Sequence, residues 1–103
     1  MKMYYITLNT SEEASKIGRA LLEQKLALCV NWFPITCGYL WDGKIVEEPE
    51  VVLIVKTQSG YQQDIETVVR QHISYNNFIA EISPTFVNQG FLSWLYTEVE
   101  KRD

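Results

Sequence analysis

The stretch GYLWDGKIVEEPEVVLIVKT, residues 38–57, limits what this chain can fold into more than any other part of it. Asp42-Gly43 suits the two central positions of a type I′ turn, which both need positive φ, and strand-forming residues flank it. The arm after the turn, Lys44 to Thr57, would run about 46 Å if extended at ~3.3 Å per residue, whereas a compact chain of this length measures about 33 Å across. The hairpin therefore projects beyond the body that carries it. Val51 to Val55 is apolar on both sides of the pleat, as in a strand buried on both faces. Pro49 lacks the N–H that a central ladder needs and demands an edge or a bulge. The arm thus has an exposed outer half and a buried inner half.

The remaining elements follow from periodicity. Tyr4, Ile6 and Leu8 alternate within Met3 to Leu8, the period of a strand. Thr10-Ser11-Glu12-Glu13 offers a capping box, and Ala14, Ile17, Gly18, Leu21 and Leu22 recur at helical spacing to about Lys25. From Leu28 the chain reads as extended through Phe33, breaks at Pro34 and resumes through Tyr39 and Trp41. Ser59 and Gln62 suggest a second capping box before a helix whose apolar face carries Tyr61, Ile65, Val68, Val69 and His72. Asn76-Asn77 is turn-like, Phe78 to Ile82 reads as a short strand stopped by Pro84, and Phe91, Leu92, Leu95 and Val99 mark a last amphipathic helix. The order β-α-β-β-α-β plus one helix is the α+β, ferredoxin-like βαββαβ sandwich, here with a long second hairpin and an extra C-terminal helix. Its projecting edge leaves unpaired backbone groups beside Tyr39, Leu40 and Trp41, and symmetric association is the way to cover them.

At 103 residues the chain reads as one domain, 1–103, able to bury roughly two thirds of its unfolded surface without disulfide or structural metal. The nine basic residues are scattered singly in a chain of net charge −4, which argues against nucleic acid. No run of 18 apolar residues and no signal-like start is found, so no membrane partner is expected, and a cytoplasmic protein is. Cys29 and Cys37 lie along one extended segment that cannot fold back to bridge them, and free thiols in a reducing compartment are expected. Glu47, Glu48 and Glu50 read first as a solvated strand face and second as an attraction for cations.

Four blocks carry a family resemblance. LALCVNWFP, residues 26–34, resembles a Leu-Ala-Ala-Cys-Val-Asn run followed by an apolar pair and Pro. YLWDGK, residues 39–44, is similar to a Tyr-x-Trp-Glu-Gly-Lys hairpin tip, EVVLIVKT, residues 50–57, to a Glu-Val-x-x-x-x-Lys-Thr strand, and FLSWL, residues 91–95, to a Tyr-Leu-x-Trp block. The family is CutA, the divalent-ion tolerance proteins, and the resemblance covers nearly the whole chain. It implies a ferredoxin-like, non-enzymatic homotrimer locked by the long hairpins, built much like the PII signalling proteins, with a divalent metal ion, copper, as the associated ion. Three departures stand out. The segment between Pro34 and Tyr39 is one residue shorter than usual and lacks a Gly after Pro, and the chain is also about one residue short before Phe91. The family's His-Pro-Tyr-x-x-Pro-Glu reads here ISYNNFI, residues 73–79, with Ile73 at the histidine and Ile79 at the glutamate. Ile6 stands where some members carry a copper-binding cysteine.

The residues themselves leave few chemical options. A closed zinc site needs three or four Cys, His or carboxylate ligands at short spacing, and nothing here has that spacing. Cys29, among Leu26, Leu28, Val30 and Trp32, reads as a buried small apolar residue, with a role lining an intersubunit cleft as the alternative. His72 reads as a satisfied histidine at a helix C-terminus, and it is the one imidazole offered to a metal, so any metal binding is expected to be weak. Lys56 follows an apolar run and needs a partner or a cleft. Lys56-Thr57 matches the resemblance's Lys-Thr pair, so Lys56 is a candidate for the intersubunit groove beside the reading as a snorkelling surface lysine. Tyr39 and Trp41 share one strand face, for interface packing or ligand stacking, and Tyr75 packs a turn or reaches across the same groove. The alternatives to a metal-associated trimer are a small enzyme on the same scaffold or a PII-like signalling module with a non-metal ligand. An acylphosphatase-like enzyme is disfavoured because LNTSEEA, residues 8–14, has no glycine-rich phosphate loop.

Overall fold

In a computed structural model describing residues 1–102, Asp42 and Gly43 take φ values of 51° and 74°, the left-handed pair that a type I′ turn requires. They join β2 (Cys29–Trp41) to β3 (Lys44–Thr57). The two arms stay in register throughout, from Trp41 opposite Lys44 to Cys29 opposite Lys56. With β1 (Lys2–Leu8) and β4 (Ile79–Ile82) they form an antiparallel sheet of order β2-β3-β1-β4, the ferredoxin-like arrangement. The ladder does not break at Pro34, which stands opposite Val51 in continuous register. β2 is an edge strand, and a proline whose nitrogen faces outward from an edge leaves no ladder bond unmade.

β3 has the two halves its composition implies. Val51–Thr57 pairs with β2 on one side and β1 on the other, while Lys44–Glu50 pairs with β2 alone, and Pro49 falls in that half with one open edge. The overhang runs about 23 Å at ~3.3 Å per residue. It stretches the molecule to 46 × 28 × 23 Å and its radius of gyration to 14.6 Å, where a compact chain of this length has about 13 Å.

Residues opposite one another across a ladder share a face. Tyr4 with Val55 and Val30, and Ile6 with Leu53 and Trp32, therefore look toward α1 (Ser11–Glu23) and α2 (Gln62–His72). Ala14, Ile17, Leu21, Ile65, Val68 and Val69 complete this core. α1 approaches so closely at Gly18 that a Cβ there would lie 3.0 Å from a Val30 methyl. α3 (Gln89–Glu98) adds Leu95 and its C-cap Val99 to the same core, while its Phe91 lies 5.7 Å from Lys56 Nζ, on the opposite face of the sheet.

The Thr10 capping box is formed: Thr10 Oγ1 accepts from the Glu13 amide and Glu13 Oε1 accepts from the Thr10 amide, both at 3.1 Å. α1 stops at Glu23, and Leu22 is 40% exposed instead of joining the apolar face. The stop is a Schellman closure: Leu26 N donates to Leu21 O at 2.9 Å and Lys25 N to Leu22 O at 3.0 Å. Lys25 takes φ 58°, where a Cβ is penalised. Lys25→Gly is therefore expected to raise stability by about 0.5–1 kcal/mol, read as a higher midpoint in urea. An unchanged or lower midpoint would show that the lysine pays no such strain.

The second capping box does not form. α2 starts at Gln62 with Tyr61 as N-cap and no side-chain cap, because Gly60 at φ 92° turns the chain after Ser59. Tyr61 is buried instead, donating its hydroxyl to Glu100 O at 2.6 Å.

Candidate functional site

The projecting hairpin overhangs one end of the body and leaves a groove of about 860 Å³ beneath it. Period-two alternation brings Cys37, Tyr39 and Trp41 from β2 and Val46, Glu48 and Glu50 from β3 to the sheet face away from α1 and α2. The far wall is the end of β1, with Thr7 and Asn9, and the segment from Tyr75 to Phe78. That segment is held by three contacts to β1: Thr7 N donates to Phe78 O at 3.0 Å, Phe78 N to Thr7 Oγ1 at 3.1 Å, and Asn77 Nδ2 to Thr7 O at 2.8 Å. Phe78, expected inside the short strand, lies just before it, edge-on to Tyr5 at 6.2 Å between centroids.

Tyr75 lines the groove, and its hydroxyl donates to Glu13 Oε1 at 2.7 Å while accepting from the Asn9 amide at 2.9 Å. Glu13 Oε1 accepts from the Asn9 and Thr10 amides as well, so the cap of α1 and the groove wall share one network. Burial and the hydrogen bond to Glu13 push the Tyr75 phenol above its ordinary 10.0, the Asn9 amide pulling the other way. Burial and the hydrogen bond to Glu81 do the same to Tyr4. The folded state therefore holds protons that the unfolded chain gives up. This stability is fully present below about pH 10 and is lost as pH rises toward the folded values. Tyr75→Phe is expected to lower stability by about 1–2 kcal/mol at neutral pH and to shallow the decline above about pH 10, followed by thermal melts. A slope equal to that of the parent would separate Tyr75 from the alkaline loss.

Within one subunit the candidates divide. Tyr39, Trp41 and Tyr75 meet at the groove, whereas Lys56 lies at the other end of the sheet in a shallow cavity of about 280 Å³ with Met1, Met3, Phe86 and Phe91. Its ammonium stands over the Phe91 ring. Cys29 is opposite Lys56 in the ladder and half-buried on the face away from α1, not in the core where its apolar neighbours suggested. Val30, one residue on, is the side chain that meets α1. His72 is exposed at the end of α2 with Nδ1 2.9 Å from Val68 O, and Ile73 takes the buried place instead. Cys29 and His72 thus lie on opposite faces of the sheet and form no nucleophile–base pair. Among the described residues no three His, Cys, Asp or Glu side chains converge on a point fit for a metal ion.

Three groove residues were not singled out from sequence for this site. Glu50 and Glu48 read as a solvated charge run, yet the Cys37 thiol and the Tyr39 phenol are pushed upward by desolvation first and by the charge of these two carboxylates second. Asn77 read only as a turn former, and its Oδ1 is buried without a partner.

Comparisons with known proteins agree along nearly the whole chain. A family model described as CutA1 divalent ion tolerance protein matches residues 2–98. The divalent-cation tolerance protein CutA of Archaeoglobus fulgidus is 40% identical over 97 residues, which are 93% of this chain and 95% of that one. Protein CutA of Mus musculus is 37% identical over 100 residues, 93% of this chain and 55% of the mouse protein, so the chain spans about half that relative's length. Among solved structures, the periplasmic divalent cation tolerance protein CutA from A. fulgidus superposes with a TM-score of 0.90 at 39% identity, covering 97% of this chain and 100% of that one. CutA1 from Pyrococcus horikoshii does so at 0.88 and 30% identity, covering 98% and 100%.

Proposed function

This chain belongs to the CutA1 divalent ion tolerance family, and from that premise we propose that it works as a non-enzymatic homotrimer in the tolerance of divalent cations. The observation that supports self-association is the overhang. Lys44–Glu50 has one bare edge, and Leu40, Trp41 and Ile45 at its tip are 75%, 70% and 81% exposed. A long strand edge with large apolar side chains is either an aggregation hazard or an interface. Strand addition between copies satisfies its backbone, and cyclic symmetry closes the assembly. Amide exchange tests this: outward-facing N–H groups of residues 36–50 should be protected in the assembled protein and lose protection on dilution below the dissociation constant. Fast exchange at every concentration would contradict a buried hairpin.

The non-enzymatic reading is supported by the separation of Cys29 from His72 and by the names of the relatives, which describe cation tolerance. The cytoplasm remains our proposed compartment, on the two free thiols, although the A. fulgidus relative is described as periplasmic. Fractionation of cells expressing the protein distinguishes the two.

Copper(II) prefers imidazole in tetragonal geometry and copper(I) prefers thiolate or thioether, and either needs such groups to converge. One subunit does not fit that demand: Ile6 and Ile73 are buried and His72 is alone on the surface. Copper and zinc are therefore expected to bind the reduced trimer weakly, through exposed carboxylates, and equally well after His72→Ala. Calorimetry giving submicromolar binding at one metal per subunit, abolished by that substitution, would overturn this.

A further inference from the structure

α3 is tied to the body by the residues that follow it. Leu95 and Val99 pack into the core and Leu92 lies against it, while Trp94 and Tyr96 stand exposed. Among the described residues no hydrogen bond joins Gln89–Glu98 to another element, and its side-chain bonds, Gln89 with Ser93 and Thr97 with Trp94, stay inside the helix. The polar links to the body come from residues 99–102. Buried Gln58 donates Nε2 to Val99 O at 2.7 Å, and the Tyr61 hydroxyl donates to Glu100 O. Arg102 then lies across the start of α2, its guanidinium 3.8 Å from the centre of the Tyr61 ring, with Nη1 2.6 Å from Asp64 Oδ2 and 3.3 Å from Gly60 O. A flat cation can stack on the ring and fork to both oxygens at once, which a lysine ammonium cannot. The fit is close: a Cβ on Gly60 would come 2.8 Å from Arg102 Cβ. At the other end of α3, Phe91 stands under the Lys56 ammonium, and residues 83–88, which lead in from β4, form neither helix nor strand.

We propose that residues 99–102 are a latch and α3 the flap it holds. With Arg102 seated on Tyr61 and Asp64, α3 is shut. With Arg102 out, α3 opens as one unit on the hinge at 83–88 and carries Phe91 away from Lys56, while the sheet, α1 and α2 stay folded. Leu95 and Val99 still favour the shut position, so losing the latch raises the open population without making it dominant. Every part of the device comes from one chain and none from the overhang, so it stands apart from the trimer reading and fails or survives independently of it.

The test is amide hydrogen exchange, read residue by residue, on the full-length protein and on its Arg102→Ala and Arg102→Lys variants. In Arg102→Ala the amides of Ser93–Val99 should exchange about tenfold faster, while those of Ile6 and Leu53 in the sheet keep the parent's rate. Arg102→Lys keeps the charge but loses the flat fork, and its rates at Ser93–Val99 should fall between the two. The Arg102 side chain is part-exposed, so neither change disturbs the core. If the thermal midpoint of Arg102→Ala nevertheless falls, the ratio of the two sets of rates decides: the latch requires that Ser93–Val99 gain on Ile6 and Leu53. Equal acceleration of both sets would make Arg102 a general stabiliser, and unchanged rates at Ser93–Val99 would leave its contacts holding nothing. Either result overturns the proposal.

Discussion

Leu40→Glu together with Ile45→Glu is expected to turn the assembled protein into monomers at micromolar concentration. The two side chains stand opposite each other beside the turn, on the face that carries the core further along the sheet, but beyond the reach of the helices. In an isolated subunit they lie largely in water. Covering each in an interface is worth about 1.5–3 kcal/mol, and a trimer repeats the gain in every subunit. A carboxylate at either place must be desolvated without a partner, which changes the sign of the contribution. The monomer should keep its own core, since Lys44–Glu50 contributes no ladder to β1. The check is sedimentation velocity alongside circular dichroism: a slower species with native-like strand signal is expected, and an unchanged sedimentation coefficient would remove the tip from the interface.

Leu53→Ala should cost about 3–5 kcal/mol, enough to threaten a domain of this size. Leu53 is fully buried on the central strand, flanked by Ile6 on β1 and Trp32 on β2. It sits beneath Gly18, where a Cβ would lie 3.8 Å from a Leu53 methyl and 3.0 Å from a Val30 methyl, so Val30 already holds α1 at close range to the sheet. The helix cannot sink further to fill the space, and a cavity that cannot collapse falls at the upper end of the range. Urea unfolding measures it, and a loss below about 1.5 kcal/mol would mean that the packing around Gly18 relaxes after all.

Much of this was legible because local rules and tertiary structure agree. Asp42-Gly43 demands positive φ on its own account, and the two-sided apolar run from Val51 to Val55 is a central strand wherever it is placed. Pro34 is tolerated because β2 lies at the edge, a fact of strand order that no window around residue 34 contains. Ser59 caps nothing for a nearer reason: Gly60 and the burial of Tyr61 move the start of α2 past it. Cys29, Lys56, Tyr39, Trp41 and Tyr75 are candidates for clefts between subunits, and along β2 the positions of Cys29 and Tyr39 are about 33 Å apart at ~3.3 Å per residue, so only a neighbouring copy could bring the two groups together. A single subunit therefore holds them at opposite ends. The Tyr75–Glu13–Asn9 network and the orphan oxygen of Asn77 join segments far apart in sequence, and each residue alone carries only the signal of a cap or a turn.

The account depends on the overhang of β2 and β3 being an interface between copies of this chain. The molar mass of the purified protein, by light scattering across a column peak at micromolar concentration, tests that most directly. Three chains of 12.0 kDa, about 36 kDa in all, is the predicted result. A single species of 12.0 kDa with its hairpin ordered would contradict it.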